Sequence, residues 1–243
     1  MIGNITRIDQ RMRSKDFNTL QLVQITDCHL GSEPNECLLG LNTDQSLRDV
    51  LSEVKAHEKP DLLLVSGDIS NDAGANSYMR FLRIVDEYFP ETPLAWLPGN
   101  HDNPDYMHSV AGFPLTQVVE RNGWNIILLD SRIPHEEGGR LSSAELSRLE
   151  RELMAKPNSP TLIFLHHQPV KVGSAWVDTY LLENHQEFFE LVDQYSQIKG
   201  IGWGHIHQNF ESERNGVKLF ASPSTCVQFE PNHDEFQVSS AMP

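Results

Sequence analysis

Short apolar runs recur along the chain, and the stretches between them carry helical spacing. LQLVQIT (20–26), DLLLVS (61–66), PLAWLP (93–98), TLIFL (161–165) and KGIGW (199–203) read as buried strands. Between the first two, residues 43–57 place Leu47, Val50, Leu51 and Val54 on one helical face, with Thr43 as N-cap. A second helix near 75–88 aligns Tyr78, Phe81, Leu82 and Val85. FPLTQVVE and WNIILLD flank the turn-like RNGW and predict an antiparallel pair. Ser142 or Ser143 caps a helix running to about 154, with Glu145 in its first turn. Residues 185–196 set Phe188, Phe189, Leu191 and Val192 on another helix, and NFESERNGVKLFAS predicts a hairpin around Asn215-Gly216. The first half is thus βαβαβ and the second strand-rich with two helices. Two sheets packed face to face, with helices outside, accommodate both.

The chain has 243 residues, 39% of them hydrophobic, which predicts one core and a single domain over 1–243. Residues 1–18 read as an N-terminal extension without an apolar signal core, and no run reaches transmembrane length. Three cysteines, Cys28, Cys37 and Cys226, show no paired spacing. Reduced thiols, a cytoplasmic location and no membrane partner are the expectation. A formal charge of −15, from 19 basic against 34 acidic residues, argues against nucleic acid as a partner. A small anion drawn to a bound cation stays compatible with that surface.

Candidate chemistry sits where the strands end: Asp27-Cys-His29, Gly67-Asp68, Gly99-Asn100-His101-Asp102, His166-His167 and Gly204-His205-Ile206-His207. Loops at the C-terminal edge of an α/β sheet are where sites are built. Asp27 and His29 are two apart, as are His205 and His207, and on an extended strand such pairs point the same way. Asp68 offers two oxygens to a metal pair, Asn100 an amide oxygen, and His101 a group able to carry a proton. This O/N set suits first-row metal ions. Two divalent ions would outweigh the two carboxylates and favour an anionic substrate, so metal-assisted hydrolysis of a phosphate ester fits best. Taken singly, Asp, Asn and His at strand ends also serve as turn formers and caps.

The ordered series D-x-H, G-D, G-N-H-D, H-H and G-H-x-H resembles the calcineurin-like metallophosphoesterase superfamily over residues 27–207. GHIHQ, HHQPV with the following GSAWVDTYLLENHQEFFELV, and SPSTCVQFEP (222–231) resemble its bacterial class III 3′,5′-cyclic AMP phosphodiesterases. The resemblance implies an α/β, four-layer (α+β) fold with two facing mixed β-sheets between helices. It implies one metal on Asp27, His29 and His207, another on Asn100, His166 and His205, and Asp68 bridging. The ions would be two divalent or mixed-valence transition metals, Fe or Mn first, with Co and Zn possible. His101 would be catalytic, acting on the leaving oxygen, with Asn100 and His207 beside the substrate and His167 standing behind the ligands. The reaction implied is hydrolysis of cyclic AMP to 5′-AMP by a metal-bound hydroxide.

By analogy the tract Pro223–Phe229 lines the nucleotide side of the cleft, with Thr225 the candidate contact. The segment Gly67–Ala73 lacks the phosphate-gripping Arg of protein Ser/Thr phosphatases. Relatives usually continue with two further strands where this chain reads SSAMP, so the C-terminus looks short. Other readings are a phosphodiesterase for glycerophosphodiesters, 2′,3′-cyclic nucleotides or nucleotide-sugar pyrophosphates, and a metal-binding protein without turnover. Monomer and dimer are both open. Cys28 and Cys226 read as small buried hydrophobes; His57, His108, His135, His185 and His233 read as surface residues. Trp176 reads as surface packing, with base stacking the second option.

Overall fold

The computed structural model describes residues 19–111 and 118–242. In chain order the elements are β1 (Leu22–Ile25), β2 (Cys37–Leu38), β3 (Leu41–Asn42), α1 (Thr43–His57), β4 (Leu62–Ser66), α2 (Ala75–Tyr88), β5 (Leu94–Leu97) and α3 (Pro104–Ala111). They continue with β6 (Val118–Arg121), β7 (Trp124–Leu128), α4 (Ser143–Ala155), β8 (Thr161–Phe164), a 3-10 turn (Val177–Tyr180), α5 (His185–Val192) and β9 (Ile198–Trp203). The hairpin β10 (Phe210–Arg214) and β11 (Val217–Ala221) follows, then β12 (Gln228–Phe229) and β13 (Val238–Ser239).

Two sheets face each other. β1-β4-β5 is parallel throughout; β10-β11-β9-β8-β7-β6 is mixed, with antiparallel pairs only at its two ends. The pleat sorts the apolar runs into layers, because successive strand residues face opposite ways. Leu62 and Leu64 of β4 meet Leu162 and Phe164 of β8 between the sheets. Their neighbours Leu63 and Val65 pack outward with Leu47 and Phe81 of α1 and α2. Ile163 and Leu165 pack outward with Leu149 and Phe188 of α4 and α5. Helix, sheet, sheet and helix form four layers, and continuous apolar runs are what strands buried on both faces require.

Local details differ from expectation. The N-cap of α1 is Asn42, whose extended backbone lets its side chain accept from the Gln45 amide at 3.0 Å; Thr43 is already helical. Ser142 caps α4 by accepting from Glu145 N. α5 ends at Val192, earlier than the spacing suggests. α3 and the short pairs β2–β3 and β12–β13 carry too few periodic positions to be read from sequence. The extension 1–18 and the start of FPLTQVVE lie outside the described residues.

Candidate active site

All five segments leave the C-terminal ends of β1, β4, β5, β8 and β9; His29, Asp68, Asn100, His101, His205 and His207 line one cleft of about 270 Å³, and the buried Asp27 and His166 lie within ligand distance of them. Asp27, His29, Asp68, His205 and His207 all hold left-handed φ, between 46° and 66°. Non-glycine residues visit that region at an energetic cost and cluster at functional sites when they do. The convergence of Asp27 with His29, and of His205 with His207, therefore comes from these left-handed turns rather than from strand pleating. Backbone hydrogen bonds hold the turns: Asp27 N to Gly67 O (3.0 Å), His29 N to Asp68 O (3.0 Å) and Leu30 N to Ile69 O (2.9 Å). Gly204 lets β9 come this close. A methyl there would lie 2.7 Å from Asp27 Oδ2 and closer still to Thr26 Oγ1.

The side chains form two clusters, and Asp68, a member of the second, also reaches His29 of the first. Asp27, His29 and His207 make one, Asp68, His166 and His205 the other, and His29, Asp68 and His101 also lie within reach of one another. His29 Nε2 and His207 Nε2 are 3.2 Å apart, and His207 Nε2 is 3.3 Å from Asp27 Oδ1. Asn100 Oδ1 stands 3.1 Å from both His166 Nε2 and His205 Nδ1. Asp68 Oδ2 is 3.3 Å from His166 Nε2 and 3.7 Å from His29 Nε2. Atoms that coordinate one ion at about 2.0–2.2 Å sit about 3–3.5 Å from each other, so these spacings fit two adjoining ions.

Hydrogen bonds on the far ring nitrogens aim the imidazoles. His166 Nδ1 donates to the Ser66 carbonyl at 2.8 Å, and His207 Nδ1 donates to the Val227 carbonyl at 2.7 Å. Each ring thereby presents the lone pair of Nε2 to the site, as metal-binding histidines do. His29 Nδ1 is buried without a partner among the described residues. Lone pairs facing one another in a buried site call for cations between them.

Titration reflects the same crowding. Burial, the largest single influence, raises Asp27, but the charge and hydrogen bond of His207 together with the charge of His166 outweigh it and lower it to about 2. Asp68 is likewise buried, yet His166, His29 and His101 hold it well below the usual carboxylate range. Burial lowers His29 to about 4; burial and the neighbouring His166 lower His205 to about 3. His166 alone rises, to about 9, because Asp68 and Asp27 overcome its burial. A cation held at Nε2 would take the place of the added proton and leave His166 neutral.

Residues outside the ligand set complete the frame. Asp102, buried, accepts from Ser70 N (3.0 Å), Ile69 N (3.1 Å) and Tyr78 Oη (3.1 Å) on one oxygen and from Gly99 N (2.9 Å) on the other. It ties the loop after β4 to the loop after β5, and burial with nearby Asp68 raises it to about 6. Its place in G-N-H-D was the only sequence sign of this role. His167 sits outside both clusters, accepting at Nδ1 from Ser131 Oγ (2.8 Å) and donating from Nε2 to Glu137 O (3.2 Å). His101 is exposed at the cleft, its amide donating to Asp68 Oδ1 at 2.9 Å and its ring edge-on to His29 at 4.9 Å.

Thr225 does not line the cleft. It is buried, its amide donates to Thr26 O (3.0 Å) and its carbonyl accepts from Ser46 Oγ (2.7 Å). Ser224 Oγ likewise donates to Asp27 O at 2.8 Å. The tract therefore braces the Asp27 loop, and its cleft-facing members are Val227 and Phe229. Trp176, expected as surface packing, lines the cleft beside Phe229. Cys28 and Cys226 are buried and free, with burial raising both thiols. Four of the five remaining histidines are exposed, and His185 is half-buried at the start of α5.

Comparison with known proteins agrees with this geometry. The model of the calcineurin-like phosphoesterase family matches residues 20–209. The chain is 43% identical over 232 residues to the 3′,5′-cyclic adenosine monophosphate phosphodiesterase CpdA of Vibrio vulnificus, covering 93% of this chain and 84% of that protein. It is 40% identical to CpdA of Pseudomonas aeruginosa, covering 91% and 82%. Among solved structures, a dimetal phosphatase from Danio rerio superposes with a TM-score of 0.62 at 14% identity, over 84% of this chain and 87% of that one.

Proposed function

We propose, from the premise that this chain belongs to the calcineurin-like phosphoesterase family, that it hydrolyses 3′,5′-cyclic AMP to 5′-AMP at a pair of transition-metal ions. The observation that carries the reading is the position of Asp68 Oδ2, within 3.3 Å of His166 Nε2 and 3.7 Å of His29 Nε2, so that one carboxylate serves both clusters. Asp27, His29 and His207 would hold one ion, and Asn100, His166 and His205 the other, with Asp68 between them. Such a pair, when bound, activates water and neutralises the charge that develops on a phosphoryl group in displacement. Imidazole with carboxylate and amide oxygen suits Fe and Mn, with Co and Zn able to substitute.

The chain's own groups do the rest. His101 stands at the cleft with its backbone tied to Asp68, placed to protonate the departing 3′ oxygen. Asp102 keeps the Asp68 and Asn100 loops in register. The ring nitrogens committed to Ser66 and Val227 keep the ligand lone pairs inward. No helix among the described residues is long and apolar enough to cross a membrane, and three free cysteines suit a reducing compartment, which supports a cytoplasmic enzyme.

The test is a substrate panel on protein stripped by prolonged chelation and reloaded with single metals. Stripping should abolish hydrolysis, and Mn²⁺, Fe²⁺ or Co²⁺ should restore it better than Ca²⁺, which prefers all-oxygen shells. Cyclic AMP should exceed glycerophosphodiesters, 2′,3′-cyclic AMP and nucleotide-sugar pyrophosphates in kcat/KM. Full activity without metal, or preference for another diester, would overturn the proposal.

A further inference from the structure

Beyond the metal clusters, the cleft has an apolar side that phosphoryl chemistry does not need. Phe229 lies flat on His207, with ring centroids 4.2 Å apart and 10° from parallel. Trp176 meets Phe229 edge-on at 4.9 Å and Phe236 at 5.2 Å. An aromatic wall thus begins at a metal-cluster histidine and runs outward to Phe236, which is 54% exposed. The β2–β3 hairpin brings Leu38 and Leu39 to the same cleft.

Leu39 is the second observation. Leu38 pairs with Leu41, leaving Leu39 and Gly40 as a two-residue turn with φ of 49° and 87°. Positive φ at both positions is a type I′ turn, which favours Asn-Gly or Asp-Gly. A leucine there is strained, and at 60% exposure it gains little from burial. A strained apolar side chain at the lip of a polar site fits contact with a ligand.

We propose that Trp176, Phe229, Phe236 and Leu39 form the subsite for the purine base of the nucleotide. The inference rests on the phosphodiesterase reading for placing the phosphoryl group at the metal clusters. An aromatic wall continuous with His207 then receives the base by stacking, which needs only a π face and an apolar surround. Specificity for a nucleotide over other diesters comes from this surface rather than from Thr225.

The experiment measures competitive inhibition of bis(4-nitrophenyl) phosphate hydrolysis by 5′-AMP and by ribose 5-phosphate, in the metal-loaded enzyme. Their ratio isolates the base. The native enzyme should bind 5′-AMP about 5–150-fold more tightly, the range for stacking one base. Trp176→Ala should bring the ratio close to one. Leu39→Asn should lower it at least about threefold while leaving the melting temperature equal or higher, because asparagine suits the turn. That pairing of kept stability with lost discrimination is one that a merely structural role for Leu39 would not produce. Trp176 also packs against the core of the larger sheet, so Leu39→Asn decides if Trp176→Ala fails to fold. An unchanged ratio in Leu39→Asn, or equal weakening of both inhibitors, would overturn the subsite. Loss of the ratio in the variants of an enzyme that does not turn over cyclic AMP would sink the proposed reaction and keep the subsite. A native ratio of one with good cyclic AMP turnover would sink the subsite alone.

Discussion

Gly204→Ala should damage the metal site from a position that offers no ligand. A Cβ at residue 204 would fall 2.7 Å from Asp27 Oδ2 and 3.2 Å from Ser66 O, with Thr26 Oγ1 nearer than either. Non-bonded heavy atoms rest at roughly 3.5 Å or more, so Asp27 must move by about 0.8 Å, and Thr26 or β9 by more than that. Metal–ligand distances tolerate about 0.2 Å, and Asp27 cannot swing freely. Its oxygens accept from the His205 amide at 3.1 and 3.0 Å, and Oδ2 accepts from Thr26 Oγ1 at 2.6 Å. The overpacking should cost about 1–3 kcal/mol of stability, or roughly 2–12 °C in melting temperature for a chain of this length. The larger effect should fall on the cluster containing Asp27. We expect metal content after dialysis to drop from two ions toward one, and kcat/KM for cyclic AMP to fall about 10²-fold, as misplacements near 1 Å do. The assays are elemental analysis, thermal melting and steady-state kinetics on the same preparation. A variant that keeps two ions and turns over within twofold of the native enzyme would refute the packing argument.

Further outcomes follow from the same geometry. Asp68→Ala should lower bound metal and activity together, since one carboxylate faces both clusters; two ions per chain with near-native turnover would show that Asp68 does not bridge. His101→Ala should keep both metals and lose about 10²–10⁴ in turnover of cyclic AMP. The loss should be much smaller for an aryl diester whose leaving group needs no proton, and equal losses would assign His101 to positioning. Thr225→Val, nearly isosteric in a buried site outside the cleft, should leave the ratio of kcat/KM for cyclic AMP over an aryl diester within about twofold; a selective loss on cyclic AMP would return Thr225 to the nucleotide.

Much of the fold was legible because its signals are local. Continuous apolar runs mark strands buried on both faces, and the spacing of Leu47, Leu51 and Val54 marks α1 without knowledge of its partners. Asn215-Gly216 declares its turn through φ of 51° and 80°, which those residues adopt at little cost. Leu39-Gly40 adopts the same kind of turn and was not legible, because leucine carries no such preference. Asn42 displaced Thr43 as cap for a comparably small reason: both side chains can accept, and the path of the chain out of β3 chose between them.

The order and residue types of the five strand-end segments determined, from sequence alone, that oxygen and imidazole donors would gather at the C-terminal ends of parallel strands. That inference needs only the rule that parallel strands end on the same side. That the edges of two separate sheets then face one another was decided by the packing. Only the tertiary structure decided how the donors meet. Left-handed backbone at Asp27, His29, Asp68, His205 and His207 is enforced by hydrogen bonds between loops far apart in the chain. Asp102 becomes a clamp because burial brings four donors to it. Thr225 turned inward while Phe229 reached His207, because the tract packs on the Asp27 loop at Thr225 and bends at Thr225 and Cys226 before β12 carries Phe229 to the cleft. Such outcomes depend on which surfaces come into contact, and contact between distant segments leaves no period or propensity in the sequence to read.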